Sequence, residues 1–170
     1  MSDIEIRPTI PADLDALADI LLQVHATDGY PVEGVDDARA WVDLPKALGQ
    51  WTALLEGQPV GHVALKRPDL GDGAPRLLTE QQGVPPSRIA TLARLFVSPT
   101  ARGRSAARCL LDAALDRARR DDLAVVLDVM SKDRNAIQLY RSSGWRFLGE
   151  LDHVITQGSR VKALAFCWPG

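Results

Sequence analysis

Residues 92–115 read LARLFVSPTARGRSAARCLLDAAL and contain the clearest structural pattern of the sequence. The apolar run that ends at Val97 is followed by the turn signal Ser98-Pro99, which predicts a buried strand. From Ala107 onward, apolar residues recur at the i, i+3, i+4, i+7 spacing of an amphipathic helix. The stretch therefore predicts a strand, a tight turn and a helix.

The connection between this strand and this helix consists of small or cationic residues. A helix N-terminus carries free N–H groups and a partial positive charge, which together attract anions. Arg102, Arg104 and Arg108 add three cations before the first acid, Asp112. The pattern predicts an anion site. A strand–turn–helix that binds no phosphate, as found in many α/β proteins, is the alternative.

A second informative segment lies further along the chain, at residues 133–145. Ala136, Ile137 and Tyr140 are spaced to share one helix face, and Gly144 suits the position just past a helix end. Before this segment, residues 123–130 are apolar except for Asp128, as in a parallel strand that is covered on both faces. The strand that ends at Val97, the helix after it and the strand 123–130 together predict a right-handed βαβ unit. Asp128 would then be a buried carboxylate that needs a partner.

The remaining chain is predicted to form a first strand, two helices, a hairpin, a short helix and a final strand. The second helix should place Ala40 and Trp41 inward. The predicted ranges are 4–7 for the first strand, a helix opening at Pro11, 36–44 for the second helix, 51–56 and 60–65 for the hairpin, 77–82 for the short helix and 161–166 for the last strand.

Both informative segments resemble the GCN5-related N-acetyltransferases. Arg102-x-x-Ser105-x-Ala107 resembles the pyrophosphate-loop signature Gln/Arg-x-x-Gly-x-Gly/Ala. Residues 133–145 are similar to the family segment Asn-x-x-Ala-x-x-Leu-Tyr-x-x-x-Gly-Phe. Ser105 departs from the family's glycine and Asp133 from its asparagine, and Asn135 is expected to take over the contact of that asparagine.

The resemblance implies an α/β fold of the acyl-CoA N-acyltransferase type. This fold has a central, mostly antiparallel mixed sheet, splayed parallel fourth and fifth strands, and flanking helices. Acetyl-CoA is the implied co-substrate, with its pantetheine arm in the gap between the splayed strands. The implied cofactor-binding residues are Leu95, Phe96 and Val97 for the arm, Arg102, Gly103, Arg104, Ser105, Ala106, Ala107 and Arg108 for the pyrophosphate, and Asp133 and Asn135 for the cofactor arm.

Acetyl transfer needs a neutral amine and a proton for the departing thiolate. The resemblance places Tyr140 as the proton donor, and its alternative role is that of a core tyrosine. Asp128 matches the position of a base in some family members, while a structural carboxylate is the other interpretation. Further candidates are His62 as a base, Glu80 on the connection 67–88, and His25, Asp28, Tyr30 and Glu33 beside the acceptor. For each of these, an ordinary structural or surface role is the alternative.

Composition sets the remaining expectations. A chain of 170 residues, of which 46% are hydrophobic and 25% charged, predicts a single domain over residues 1–170. The net charge of −2 predicts no nucleic-acid partner. Cys109 and Cys167 are expected to be free buried thiols, and no metal site is expected. The chain shows no membrane span and no signal-peptide pattern, which predicts a cytoplasmic protein.

These observations together predict an enzyme that transfers the acetyl group of acetyl-CoA to a primary amine of a small molecule or protein. The expected partners are therefore acetyl-CoA and an amine acceptor, and a homodimer is left open. The alternative is a catalytically silent CoA-binding sensor or interaction module of the same fold.

Overall fold

The structure, a computed structural model, describes residues 3–155 and 158–169. Seven strands form one mixed sheet. The strands are β1 Ile4–Pro8, β2 Gly49–Leu55, β3 Gln58–Lys66, β4 Ile89–Val97, β5 Ala124–Met130, β6 Arg146–Val154 and β7 Arg160–Trp168. The α-helices are α1 Leu14–Asp28, α2 Ala38–Val42, α3 Gly73–Gln82, α4 Ala106–Arg120 and α5 Arg134–Ser142. Within the described ranges, no helix is both long and apolar enough to cross a membrane.

The strand order is β1-β2-β3-β4-β5-β7-β6. The pairs β1–β2, β2–β3, β5–β7 and β6–β7 are antiparallel, while β4 and β5 are parallel. The parallel ladder comprises three residue pairs, from Ile89 opposite Ala124 to Thr91 opposite Val126, at the beginnings of the two strands. This mixed sheet with its short parallel ladder and flanking helices confirms the predicted fold class.

The chain divides into two compact units that are interleaved in sequence. The first unit contains the chain up to Lys66 and returns for Ala93–Arg117, and the second contains Arg67–Leu92 and the chain from Ala118 onward. Strand β4 contributes its first residues to the second unit and its last residues to the first. The single domain predicted for residues 1–170 stays a prediction.

In the first unit, α1 packs its apolar face into a core of leucine, isoleucine, valine and phenylalanine side chains. These core residues are Leu14, Leu17, Ile20, Leu21, Val24, Val42 and Phe96. The buried carboxylate of Asp13, just before α1, anchors this helix to two strands. It accepts two hydrogen bonds from Arg7 at 2.7 and 2.8 Å, one from Thr52 Oγ1 at 3.1 Å and one from the Ile10 N–H at 3.0 Å. These contacts hold the pKa of Asp13 below its usual value, mainly through the hydrogen bonds from Arg7.

In the second unit, α3 packs against β5, β6 and β7 around a core that includes Leu78, Val126, Leu148 and Ala165. The backbone of α3 lies close to a side chain of β6 at Gly73, where a Cβ atom would lie 2.8 Å from Leu151 Cδ2. Helix α3 begins four residues earlier than predicted. The prediction missed the first turn, Gly-Ala-Pro-Arg, because these residues show no clear apolar periodicity.

Three predictions about burial are wrong. Cys109 is only half-buried, whereas Cys167 is buried as predicted. Ala40 is exposed, because α2 spans five residues from its cap at Asp37 and gives its fully buried position to Val42. Asp128 is also exposed, with 40% of its side chain accessible, while its neighbours Leu127 and Val129 are buried. At this point β5 is covered on one face and open on the other.

Candidate active site

The turn before α4 has the backbone geometry that exposes helix N–H groups. Gly103 and Ser105 have positive φ angles of 78° and 64°, and the helix begins at Ala106. The first intrahelical bond joins the Cys109 N–H to the Ser105 carbonyl at 3.0 Å. The N–H groups of residues 106–108 precede this bond, so they point out of the helix toward a bound anion.

The conformation of Ser105 explains why glycine suits this position. A left-handed φ is open to glycine and strains any residue with a Cβ atom, at a cost of about 1 kcal/mol. The exposed side chains of Arg104 and Arg108 flank Ser105. A Cβ atom at Gly103 would meet nothing within 4 Å, so the approach to the turn is open. The residues of this turn therefore fit a phosphate group.

The guanidinium of Arg102, in the same turn, is paired with an acid. It forms an ion pair with Asp28 at the end of α1, with Nη2 facing Oδ2 and Nη1 lying 3.4 Å from Oδ1. Asp28, a candidate acceptor contact, is thus the counter-ion of a candidate phosphate contact. A pyrophosphate at this turn would compete with Asp28 for Arg102.

Strand β4 is interrupted just before its candidate cofactor residues. Arg94 has a φ of 58°, a left-handed conformation inside an otherwise extended strand. Its guanidinium lies 3.9 Å from the ring centroid of Trp41 and donates to the Trp41 carbonyl at 2.9 Å. Trp41 also meets the edge of Tyr30, with 5.8 Å between ring centroids. The backbone of Leu95, Phe96 and Val97 follows directly after this bulge.

His62 lies on β3, fully buried, and stacks on Phe96 with 5.5 Å between centroids. Nδ1 donates to the Arg94 carbonyl at 2.8 Å, and Nε2 lies 3.0 Å from Oε1 of Gln50. Burial lowers the pKa of His62 to about 4, and the nearby Arg94 charge acts in the same direction. Both ring nitrogens are committed to the protein, so the geometry favours a structural role over that of a base.

Tyr140 lies on the inner face of α5 and is 6% exposed. Its ring meets Trp145 and Phe166, with centroids 5.7 and 6.1 Å away. Among the described residues, no hydrogen bond uses its hydroxyl. Burial raises the pKa of Tyr140, and the negative charges of Asp128 and Asp133 raise it further. The phenol therefore keeps its proton at neutral pH.

The remaining candidates of the second unit lie near the ends of β5 and α5. Asp133 occupies the N-cap position of α5, where its carbonyl accepts from the Ile137 N–H at 3.1 Å and its carboxylate meets Lys132 at 3.1 Å. Asn135 is exposed. Glu80 pairs with Arg76 on an exposed face of α3, as an ordinary solvated residue would. Asp128 faces His153 of β6 at 3.9 Å.

A family model described as the acetyltransferase (GNAT) family matches residues 14–145, a range that contains both the turn before α4 and Tyr140. The chain belongs to the GNAT acetyltransferase family. It is an N-acetyltransferase that uses acetyl-CoA as co-substrate, as the resemblance implied. A comparison with curated proteins finds no match.

Solved structures of GNAT acetyltransferases share the fold over nearly the whole chain. An N-acetyltransferase from Staphylococcus aureus superposes with a TM-score of 0.74 at 16% identity, covering 98% of both chains. NAA60 from Arabidopsis thaliana, in complex with acetyl-CoA, gives 0.73 at 20% identity and 97% of both chains. Ribosomal-protein-alanine N-acetyltransferase from Brucella melitensis gives 0.72 at 22% identity, covering 96% of this chain and 98% of that one.

Two features of this GNAT acetyltransferase were missed by the sequence analysis. The left-handed conformation of Arg94 has one sequence signal, a charge inside an apolar run. His153 has no such signal, because its position beside Asp128 depends on how far β6 extends and how it curves. Among the described residues, no group of three or more His, Cys, Asp or Glu side chains could hold a metal ion.

Proposed function

We propose that this acetyltransferase moves the acetyl group of acetyl-CoA directly to a primary amine, with Tyr140 as general acid. The observation that carries the proposal is the environment of Tyr140, a buried phenol at the family's motif position whose pKa is raised by burial and by nearby carboxylates. A phenol that stays protonated is a hydrogen-bond donor at neutral pH. Burial also raises the proton affinity of a departing thiolate, which favours its protonation.

The turn before α4 is the proposed pyrophosphate site. Its support is the exposed N–H groups of residues 106–108, the two positive φ angles and the side chains of Arg104 and Arg108. Backbone groups of residues 95–97 are proposed to pair with the pantetheine arm, and Asp133 and Asn135 to contact it. When bound, acetyl-CoA supplies the acetyl group as a thioester.

Asp128 is proposed to help remove a proton from the acceptor amine. Its exposure supports this role, because a carboxylate that solvent reaches can pass a proton on to water. An aspartate side chain is shorter than a glutamate, so a bridging water would extend its reach to the amine.

The acceptor class is proposed from chemistry alone, as a primary amine of a small molecule or a protein. Free cysteines, as at Cys109 and Cys167, are typical of a reducing compartment and support the proposed cytoplasmic location. The homodimer stays a prediction, which sedimentation of the purified protein tests.

Release of CoA thiol in the presence of spermidine, phenylethylamine and the tripeptide Ala-Ala-Ala tests the function. Turnover with at least one amine is expected. Tight acetyl-CoA binding without CoA release from any amine would favour the silent CoA-binding module.

Calorimetry with acetyl-CoA tests the phosphate site in the same protein. The double variant Arg104→Ala with Arg108→Ala should bind roughly 10- to 100-fold more weakly, since charge-assisted contacts are lost. Arg119→Ala with Arg120→Ala removes the same charge from the other end of α4 and should bind normally. Equal affinity of both double variants would contradict the phosphate site.

A further inference from the structure

A carboxylate and an imidazole from two different strands face each other in the second unit. His153 Nδ1 on β6 lies 3.9 Å from Asp128 Oδ2 on β5, and the two side chains are 35% and 40% exposed. Both groups are thus close enough to interact and open enough to meet a small molecule. Neither is part of the apolar core around α3.

The strand pairing shows that the sheet must curve for the side chains of Asp128 and His153 to meet. Asp128 lies opposite Ala165 on β7, and His153 lies opposite Val161, four residues away along the same strand. In a flat sheet, this register would separate the two Cα atoms by about 16 Å. Because the side chains instead approach to 3.9 Å, the β6–β7 hairpin coils toward the end of β5. The pair therefore lies on a concave part of the sheet face.

The same face of the sheet carries α3, which lies within the connection 67–88. Gly73 of α3 packs on Leu151, two residues before His153 and on the same face of β6. Gln81 of α3 donates to the Leu148 carbonyl at 2.8 Å. Helix α3 thus covers one part of this face, and the pair lies just beyond it.

We propose that His153 is the base that takes the proton from the acceptor amine, and that Asp128 is the positioning residue that orients its ring. The inference rests on the proposed acetyl transfer. A proton on Nδ1 would face the Asp128 carboxylate across the 3.9 Å gap, and this tautomer leaves the lone pair of Nε2 as the basic site. The imidazole supplies the reach that the short aspartate lacks.

The proton and electron changes balance along this route. The amine nitrogen forms its bond to the acetyl carbon, and the carbon–sulfur bond breaks with its electron pair on sulfur. The proton of the nitrogen passes to His153 Nε2 and then to solvent. The thiolate takes a proton from Tyr140, which recovers one from solvent, so the products are the amide and CoA thiol.

Asp128 is the charged group that the described structure brings against His153. The cross-strand neighbour Val161 is apolar, and Asp152 points to the other face of β6, where it pairs with Lys162 at 2.7 Å. On α3, the charges of Arg76 and Glu80 pair with each other at 3.3 Å. Loss of the Asp128 charge should therefore be the dominant electrostatic change at His153.

The test compares His153→Ala and Asp128→Asn with Asp152→Asn, which removes a carboxylate from the adjacent residue on the opposite face. The rate of CoA release is measured across pH with an amine that the wild type acetylates, and acetyl-CoA affinity is measured by calorimetry. His153→Ala should lower kcat by roughly 100-fold or more with unchanged acetyl-CoA affinity. Added imidazole should restore part of the rate, because the site is open to solvent.

Asp128→Asn should lower kcat less than His153→Ala does, because the ring keeps its basic nitrogen but loses the carboxylate that orients it, and the loss should fall on kcat rather than on KM. Asp152→Asn should match the wild type. A His153→Ala rate within threefold of wild type, or a loss that imidazole leaves unchanged and that is equal at every pH, would overturn the inference while the acetyl transfer stands. A wild type that releases no CoA with any amine would overturn both.

Discussion

His62 in the first unit and Tyr140 in the second are both buried titratable side chains beside aromatic rings, and burial shifts the pKa of each toward the neutral form. They differ in what their polar atoms meet. Both nitrogens of His62 face protein oxygens, at 2.8 and 3.0 Å. The hydroxyl of Tyr140 has no hydrogen bond within the described residues. Burial and a shifted pKa are therefore common to both residues, and the two differ in whether protein groups already occupy their polar atoms.

The largest expected difference between the two residues is tested with Tyr140→Phe, which keeps the ring and deletes the hydroxyl. We expect kcat to fall by roughly 10²–10⁴, the scale of a positioned general acid. Acetyl-CoA affinity and melting temperature should change little, because packing on Trp145 and Phe166 is retained. Steady-state kinetics beside a thermal melt decides the matter. A kcat within threefold of wild type would remove Tyr140 from the mechanism.

The next largest expected effect is a loss of folding stability at low pH, which comes from His62. Its pKa of about 4 lies below the value of about 6.5 expected in the unfolded chain, so the unfolded state binds the proton more readily. Stability should be complete above that unfolded pKa and should fall as the pH drops toward 4, by about 3 kcal/mol from this residue. Denaturant unfolding at several pH values measures it. His62→Gln should flatten this dependence, and His25→Gln should retain it.

At neutral pH, His62→Phe is the counterpart of Tyr140→Phe. The new ring can still stack on Phe96, but the Arg94 carbonyl and the Gln50 side chain lose their partner. Leaving buried polar groups unpaired should lower the free energy of unfolding by about 2 kcal/mol. The folded fraction should keep a near-normal kcat. Urea unfolding and kinetics on the same variant test this, and a large kcat loss with unchanged stability would reverse the comparison.

The smallest effect is expected at Ser105, which is exposed and whose backbone rather than side chain is constrained. Ser105→Gly should raise the free energy of unfolding by up to about 1 kcal/mol, because glycine adopts the left-handed φ of 64° without strain. Its greater unfolded-state entropy offsets part of the gain. The change in acetyl-CoA affinity distinguishes a serine that crowds the phosphate, where affinity rises, from one that donates to it, where affinity falls. Ala106→Gly, in the helix itself, should destabilise and serves as control.

The features that the sequence predicted correctly depend on local periodicity and turn chemistry. The apolar run ending at Val97, the helix after Ser105 and the inward position of Tyr140 follow from neighbours a few residues apart. The ion pair of Arg102 with Asp28 joins residues 74 positions apart, and nothing local encodes it. The approach of His153 to Asp128 likewise depends on strand register and sheet curvature.

Asp128 shows that the composition of a strand does not predict whether each of its faces is covered. An apolar run with one charge predicted a carboxylate buried on a doubly covered strand. In the structure, the face that carries Asp128 is open at that position, so the charge marks the end of the covered region. Whether a strand face is covered depends on the length and placement of helices elsewhere in the chain, which periodicity within the strand does not report.

The interleaving of the two units has a consequence for how the protein is made. A ribosome that has released the chain up to Lys66 next delivers part of the second unit, Arg67–Leu92, before it returns to Ala93–Arg117. Domains generally fold as units during synthesis, N-terminal part first. Here the early strands β1, β2 and β3 must wait for β4 and α4 before their own unit is complete. Helix α3 in turn waits for β5, β6 and β7. Neither unit is a contiguous segment, so a nascent chain exposes unfinished sheet edges until nearly all of it has been translated.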